Sequence, residues 1–384
     1  GIAMNFDALT AYIDGLYEKE GIPSSQIVIH KNGEEIYRHA AGYQDVATGE
    51  PIRRDALYFM YSCSKVVTVI AAMQQLEQGK FLMFDRVDKY LPEFADIRVA
   101  SYTPTGKKVL VNPQHALRIS HLFTMTGGLD YDWKAPELVA TIAGHDGKPT
   151  TADVVRAIAK KPLCFHPGTH WQYSLSHDVL ARLVEVWSGE RFADYVQKHI
   201  FDPVGMAHSC YHLTDAIRPK MAAQYRFEKE LGKAVDIGLV NEHVPGENYD
   251  SGGAGVISCI DDLILLADTM TRMGVTANGK RILSARTVDL MRTDCLDDKT
   301  RPDFCWDAMR GYGYGFGVRT MVDPKRGGSL SPVGEFGWGG AAGAYFHADP
   351  ANGISIIYTQ HMLNNKEAIV HPRLRNLVYA ALGR

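Results

Sequence analysis

An α+β fold is predicted, with one antiparallel sheet assembled from both ends of the chain and a mostly helical segment inserted between them. Three observations carry this. Apolar runs of period two cluster at the two ends, at residues 24–41 and again beyond residue 312. From about 85 to 300 the pattern changes to capped helical stretches joined by long irregular loops. Amphipathic helices open and close the chain, as expected for layers that flank a sheet. The expected organisation is a discontinuous sheet domain, residues 1–84 and 301–384, and a helical domain, residues 85–300, with a functional site in the cleft between them.

The elements follow in order. Residues 5–20 place Phe6, Leu9, Ile13 and Leu16 on one helical face. Gln26–His30 and Glu35–Ala41 flank Asn32-Gly33, a strong short-range hairpin signal. The apolar run 66–73 predicts a buried helix that stops at Gly79. Short helices are expected at 85–92, 119–126, 151–160, 176–187, 191–199, 259–273 and 284–292, most of them opening on Ser, Thr or Asp. Residues 313–321, 334–338, 342–348 and 354–359 read as successive antiparallel strands, with Asp349–Gly353 turning the last pair. A final helix spans 367–382, where Pro372 should be tolerated only in the first turn or force a restart.

Composition narrows the function classes. The 384 residues are 46% hydrophobic and 22% charged, an ordinary globular balance. A net charge of −3 gives no electrostatic reason to expect nucleic acid or an anionic membrane as partner. No apolar run is long enough to span a bilayer. The N-terminus lacks a basic stretch followed by an apolar one, so no signal peptide and a cytoplasmic location are expected. The six cysteines are scattered without a Cys-x-x-Cys pair and read as free thiols of a reducing compartment. Fifteen histidines include no His-Glu-x-x-His, and the close pair His166 and His170 has no third ligand nearby. No metal or cofactor is expected, and oligomeric state is not encoded legibly.

Three stretches carry chemistry. In Tyr61-Ser62-Cys63-Ser64-Lys65, serine and lysine three residues apart share a helical face. A lysine kept neutral by burial can take the hydroxyl proton, and the helix N-terminus favours negative charge developing there. Cys63 would face away and is read as packing. Residues 165–178 place Tyr173 on a loop shaped by Pro167-Gly168, just ahead of a helix. Residues 336–343, Phe-Gly-Trp-Gly-Gly-Ala-Ala-Gly, form a glycine-rich strand that would let a substrate approach the backbone closely.

Together Ser62-x-x-Lys65, Tyr173-Ser174 after a Pro-Gly-Thr loop, and Trp338-Gly339-Gly340 resemble the serine β-lactamase superfamily. The nearest group is its class C-like branch of D-Ala-D-Ala peptidases and β-lactamase-fold (family VIII) carboxylesterases. Residues 117–129 and 252–258 are similar to further family segments. The resemblance implies that Ser62 forms an acyl-enzyme and that Lys65 and Tyr173 share the base role. It also implies an oxyanion hole built from the Ser62 and Ala341 N–H groups, and deacylation by water with Tyr173 as base. Trp338, Gly339, Gly340 and Leu175 are its expected substrate-binding residues, and Tyr131, after the Gly127-Gly128-Leu129 turn, is a further candidate that reads equally well as packing.

Two departures bear on substrate. The lactamase and peptidase Tyr-x-Asn is here Tyr173-Ser174-Leu175, and their Lys-Thr-Gly is here Trp338-Gly339-Gly340. Losing a charge-assisted bond of roughly 1.5–3 kcal/mol argues against an anion held at that position. The expectation is therefore a carboxylesterase on uncharged esters, with Trp338 as an apolar wall and some lactam hydrolysis as a side activity. The alternatives are a lactamase or D-amino-acid peptidase using another cation, an acyltransferase, and a non-catalytic binding module. Trp133, Tyr312 and Tyr314 read equally well as pocket aromatics or as packing. The absence of Gly-x-Ser-x-Gly argues against an α/β-hydrolase.

Overall fold

Side-chain alternation explains how both chain ends come to share one sheet. The computed structural model describes residues 3–383. Strands Ser24–Lys31 (β1), Glu34–Asp45 (β2), Glu50–Pro51 (β3), Tyr312–Tyr314 (β4), Arg319–Met321 (β5), Phe336–Gly339 (β6), Tyr345–Asp349 (β7) and Ile354–Thr359 (β8) lie in the order β4-β5-β6-β7-β8-β1-β2-β3. All neighbours are antiparallel. The ends meet where β1 pairs with β8, Gln26 opposite Thr359 and Lys31 opposite Ile354.

Both central strands are buried on two faces. Ile27 and Ile29 of β1 pack with Ile356 and Tyr358 of β8 against helices Asp7–Glu20 (α1) and Glu367–Leu382 (α5). Val28 and Ile357 face the opposite way, into the main core. That core is centred on helices Ser64–Glu77 (α2) and Ser176–Ser188 (α3). Residues 64–75 of α2 are buried all round, which is why its sequence shows a continuous apolar run instead of a stripe.

Helix Ile260–Thr271 (α4) falls inside the stretch expected to form the helical domain, yet it packs on β1, β7 and β8. Its Thr271 hydroxyl lies 2.8 Å from that of Ser355, and Asp268 Oδ2 lies 2.7 Å from His30 Nδ1.

Several expectations need correction. The single strand predicted over 313–321 is the β4–β5 hairpin, turned where Gly315 N–H donates to Val318 O at 2.9 Å and Gly317 takes φ 73°. The helix predicted over 85–92 is two 3-10 turns, Val87–Lys89 and Pro92–Phe94. That over 191–199 changes from α (Phe192–Val196) to a π turn (Gln197–Phe201). Helix α5 runs unbroken through Pro372 in its second turn. Burial of Val370, Leu374 and Val378 keeps the helix continuous across one missing hydrogen bond. Helix Pro136–Gly144 and the hairpins Val99–Tyr102/Lys108–Val111 and Tyr225–Glu228/Lys233–Asp236 carry no sequence signal of that strength. All six cysteines are free thiols. Among the described residues no helix is long and apolar enough to cross a membrane.

Candidate active site

Ser62 lies in a 3-10 turn, Tyr61–Cys63, that runs directly into α2. Tyr61 before it has φ 46°, a left-handed conformation that costs a non-glycine residue on the order of 1–3 kcal/mol. Its buried side chain holds it there: the ring packs against Phe59 and His243, and the hydroxyl donates to Gln224. The serine is thereby lifted onto the helix N-terminus, where its N–H has no acceptor among the described residues.

Lys65, one turn on, is completely buried. Its Nζ donates to Ser62 Oγ at 3.1 Å, to Tyr131 OH at 2.8 Å and to Gly253 O at 2.9 Å. It also lies 4.4 Å from the centre of the Tyr173 ring. Burial drives its pKa down from the usual lysine value to about 7, and Asp178 opposes that fall. Near neutral pH a substantial fraction of the amine is therefore unprotonated and able to accept the Ser62 proton.

Tyr131 and Tyr173 stack with ring centres 5.3 Å apart. Burial raises both hydroxyl pKa values, and hydrogen bonding to Ser62 works against the rise in each. Trp338 Nε1 donates to Tyr173 OH at 3.1 Å, so this hydroxyl is a fixed acceptor beside the serine. Trp338 itself is only 3% exposed, enclosed by Tyr173, Trp306 and Tyr314. The open apolar wall expected of it is a tyrosine-orienting donor instead. Leu175 is 2% exposed and part of the main core, so its side chain offers a ligand almost no surface.

The glycine-rich strand also differs from expectation. A Cβ on Gly340 would sit 2.4 Å from Met60 O. What approaches closely here is the protein's own backbone, just ahead of the Ser62 turn, so the end of β6 is drawn against that turn. A Cβ on Gly339 would come within 3.3 Å of the His371 ring. Ala341 follows as an exposed residue whose N–H has no acceptor among the described residues. Asn365 fixes this corner by donating to Gly340 O at 3.1 Å and Ala341 O at 2.8 Å.

Other contributors went unread in the sequence. Asp178 on α3 is fully buried, accepts from Tyr249 OH, and leaves Oδ1 without a hydrogen bond. Burial pushes its carboxyl pKa up, while Lys65 and the Tyr249 hydroxyl hold it back. Its position five residues after Tyr173 is the only trace in the sequence. The segment 252–256 is tied to α2 by Thr68 Oγ1 donating to Gly252 O at 2.6 Å and Val256 N–H donating to Ser64 Oγ at 2.9 Å. Trp306, 39% exposed, lies edge-on to Tyr173 and is the solvent-facing aromatic of the group. Cys63 is buried with its thiol pKa pushed up to about 12 by burial, and so is an inert packing group. Among the described residues no group of three or more His, Cys, Asp or Glu is placed to hold a metal ion.

A hydroxyl at a helix start, a buried amine within reach of it and two converging tyrosine hydroxyls match a known family. Its model, described as Beta-lactamase, matches residues 9–380. The chain belongs to the β-lactamase family. Within that family it is 28% identical over 397 residues to Esterase EstB of Burkholderia gladioli, covering 97% of this chain and 94% of that one. Among solved structures it resembles "EstCE1, a hydrolase with promiscuous acyltransferase activity", at 25% identity, TM-score 0.76 and 98% coverage of both chains. It also superposes on unliganded simvastatin synthase (LovD) from Aspergillus terreus, at TM-score 0.81 and 21% identity, covering 98% of this chain and 99% of that one. This last likeness concerns the fold. Membership in this β-lactamase-fold family of serine hydrolases supports hydrolase activity.

Proposed function

We propose that the protein is a carboxylesterase acting through a Ser62 acyl-enzyme. The observation that carries this is the fully buried Lys65, 3.1 Å from Ser62 Oγ with its pKa near 7. In this reading Ser62 Oγ attacks the ester carbonyl as its proton passes to Lys65. The Tyr173 hydroxyl, oriented by Trp338, relays a proton to the departing alcohol oxygen. The Ser62 and Ala341 N–H groups stabilise the tetrahedral oxyanion. Water then cleaves the acyl-enzyme by the reverse proton path, returning the serine and releasing the acid. Tyr131 OH and Gly253 O, the other two acceptors of Lys65, hold the amine beside Ser62.

The preference for esters rests on Leu175 and Trp338, which replace an amide and a cation in the lactamase and peptidase motifs. The Trp338 position on β6 therefore offers a substrate no cationic side chain. The esterase relative supports the same preference. We further place the site at the junction of a sheet domain (1–84 and 301–384) and a helical domain (85–300), with α4 a part of the middle segment that serves the sheet. Acyl transfer to a second alcohol uses the same intermediate, and the likeness to EstCE1, a hydrolase with promiscuous acyltransferase activity, favours including it.

The test is direct. Wild-type protein should turn over p-nitrophenyl acetate and butyrate, and a fluorophosphonate should add to Ser62 in folded protein, as read by mass spectrometry. Ser62→Ala should lower kcat by at least about 10⁴-fold and abolish the adduct. Rapid turnover of a chromogenic cephalosporin with no ester turnover would overturn the ester reading. A missing adduct in folded protein would overturn the nucleophile.

A further inference from the structure

A cavity of about 230 Å³ borders Tyr61, the residue that sets the Ser62 turn. Tyr61, Val240, His243 and Leu363 line it together with two charged residues, Arg226 and Glu242. One of its lining residues also packs on the site already described. His243 packs edge-on against both Tyr61 and Tyr131, at 6.0 and 5.5 Å, and Tyr131 bonds Lys65. The cavity is smaller than pockets that enclose a whole ligand, which run from about 300 Å³ upward, and so has the size of a subsite.

Arg226 is the feature without a structural explanation. It sits on the strand Tyr225–Glu228, where Tyr225 and Phe227 face the opposite side and line a different cavity under α1. Alternation therefore turns Arg226 towards Tyr61. It is half-buried, yet among the described residues its guanidinium has no hydrogen bond and no carboxylate within 4.0 Å. Most other partly buried arginines among the described residues have such partners: Arg38 pairs with Asp261, and Arg182 pairs with Glu185. Glu242, in the same cavity, is exposed and stays out of ion-pair range. A half-buried guanidinium presents a planar donor fork, and its natural complement is a carboxylate.

We propose that the Arg226 cavity binds a carboxylate carried by the substrate, at a position remote from the scissile ester. The inference rests on the ester-hydrolase reading and refines it. The reacting carbonyl sits at Ser62, and the anion is recognised instead in the cavity that Arg226 shares with Tyr61. Simple uncharged esters react without using the subsite.

The carboxylate could belong to the acyl or to the alcohol portion, and two substrate pairs distinguish these. For the acyl arm, p-nitrophenyl hemiglutarate is compared with p-nitrophenyl butyrate. For the alcohol arm, 3-carboxy-4-nitrophenyl acetate is compared with p-nitrophenyl acetate. The quantity read is the anionic-to-neutral ratio of kcat/KM. In one arm Arg226→Gln should lower that ratio about ten-fold or more, Arg226→Lys should retain most of it, and Glu242→Gln should raise it. Added salt should depress the wild-type ratio and leave that of Arg226→Gln flat. Ratios unchanged by Arg226→Gln in both arms, or a parallel fall of anionic and neutral rates, would overturn the subsite and leave the esterase reading standing. No wild-type turnover of any of the four esters would overturn the esterase reading and the subsite with it.

Discussion

Among the described residues Lys65 holds three hydrogen bonds and no ion pair, and its partners explain its chemistry. Burial favours the neutral amine, whereas the buried Asp178 carboxylate favours the ammonium. If the neutral amine is the base, kcat/KM for p-nitrophenyl butyrate should rise with pH through about 7, where Lys65 loses its proton. Asp178→Asn removes the group that raises the Lys65 pKa, so this limb should move to lower pH. A limb that stays in place would assign it to another group. Tyr173→Phe should cost about 10²–10⁴-fold in kcat by removing the proton relay. Trp338→Phe keeps the ring but drops the 3.1 Å bond to Tyr173, and should cost about two- to ten-fold in kcat. A Trp338→Phe effect confined to KM would return this residue to a substrate-contacting role.

Elements act here by bringing unrelated backbones close together. The end of β6 reaches the Ser62 turn only because Gly340 has no side chain, with Met60 O occupying the space a Cβ would need. Gly340→Ala should push Ala341 away from Ser62 and lower kcat by about 10²–10³-fold, the usual effect of losing one oxyanion donor, with the circular dichroism spectrum retained. Activity within two-fold of wild type would argue against the Ala341 N–H as donor. The turn itself is set from the other side by Tyr61, whose left-handed backbone is stabilised by packing and by Gln224. Neither device is visible as periodicity, because each depends on atoms from a segment far away in sequence.

At the scale of the molecule, the sheet and helices enclose many neutral imidazoles. Burial lowers the pKa of His347, His361, His243 and His121 to about 4, and of His177 and His371 to about 3. The unfolded chain takes up protons at these positions near pH 6.5, while the folded chain resists them down to about 4. Stability should therefore be greatest above about pH 6.5 and fall steadily as pH drops towards 4. The check is the urea midpoint, which should be clearly lower at pH 5 than at pH 7.5; equal midpoints would contradict it. Between β5, β6, β7 and α5, Glu335 lies 3.2 Å from His347 Nδ1 and 3.8 Å from Arg319, accepting from Tyr312 and Ser331. His347 and Arg319 hold its carboxyl below the usual range despite burial. Glu335→Ala would strand the Arg319 charge in the core and should destabilise by about 3–5 kcal/mol in urea titration.

The sequence by itself determined what local geometry determines. Ser62 and Lys65 share a face because three residues make nearly one helical turn, and the Asn32-Gly33 hairpin, α1, α2 and β8 follow from short-range pattern. Tyr173 was legible through its loop and the helix after it. Tyr131 was legible only as an aromatic after the Gly127-Gly128-Leu129 turn, equally readable as packing, and Asp178, Trp306, Asn365 and Arg226 were not read at all. Only the tertiary structure decided that Lys65 is fully buried, that Trp338 donates to Tyr173 and that Gly340 makes room for Met60. The physical reason is range. A turn or a helix face is set within a few residues. Desolvation, pKa and backbone approach are set by whatever the folded chain brings alongside, and here that comes from segments as far apart as Lys65 and Tyr131 or Gly340 and Met60.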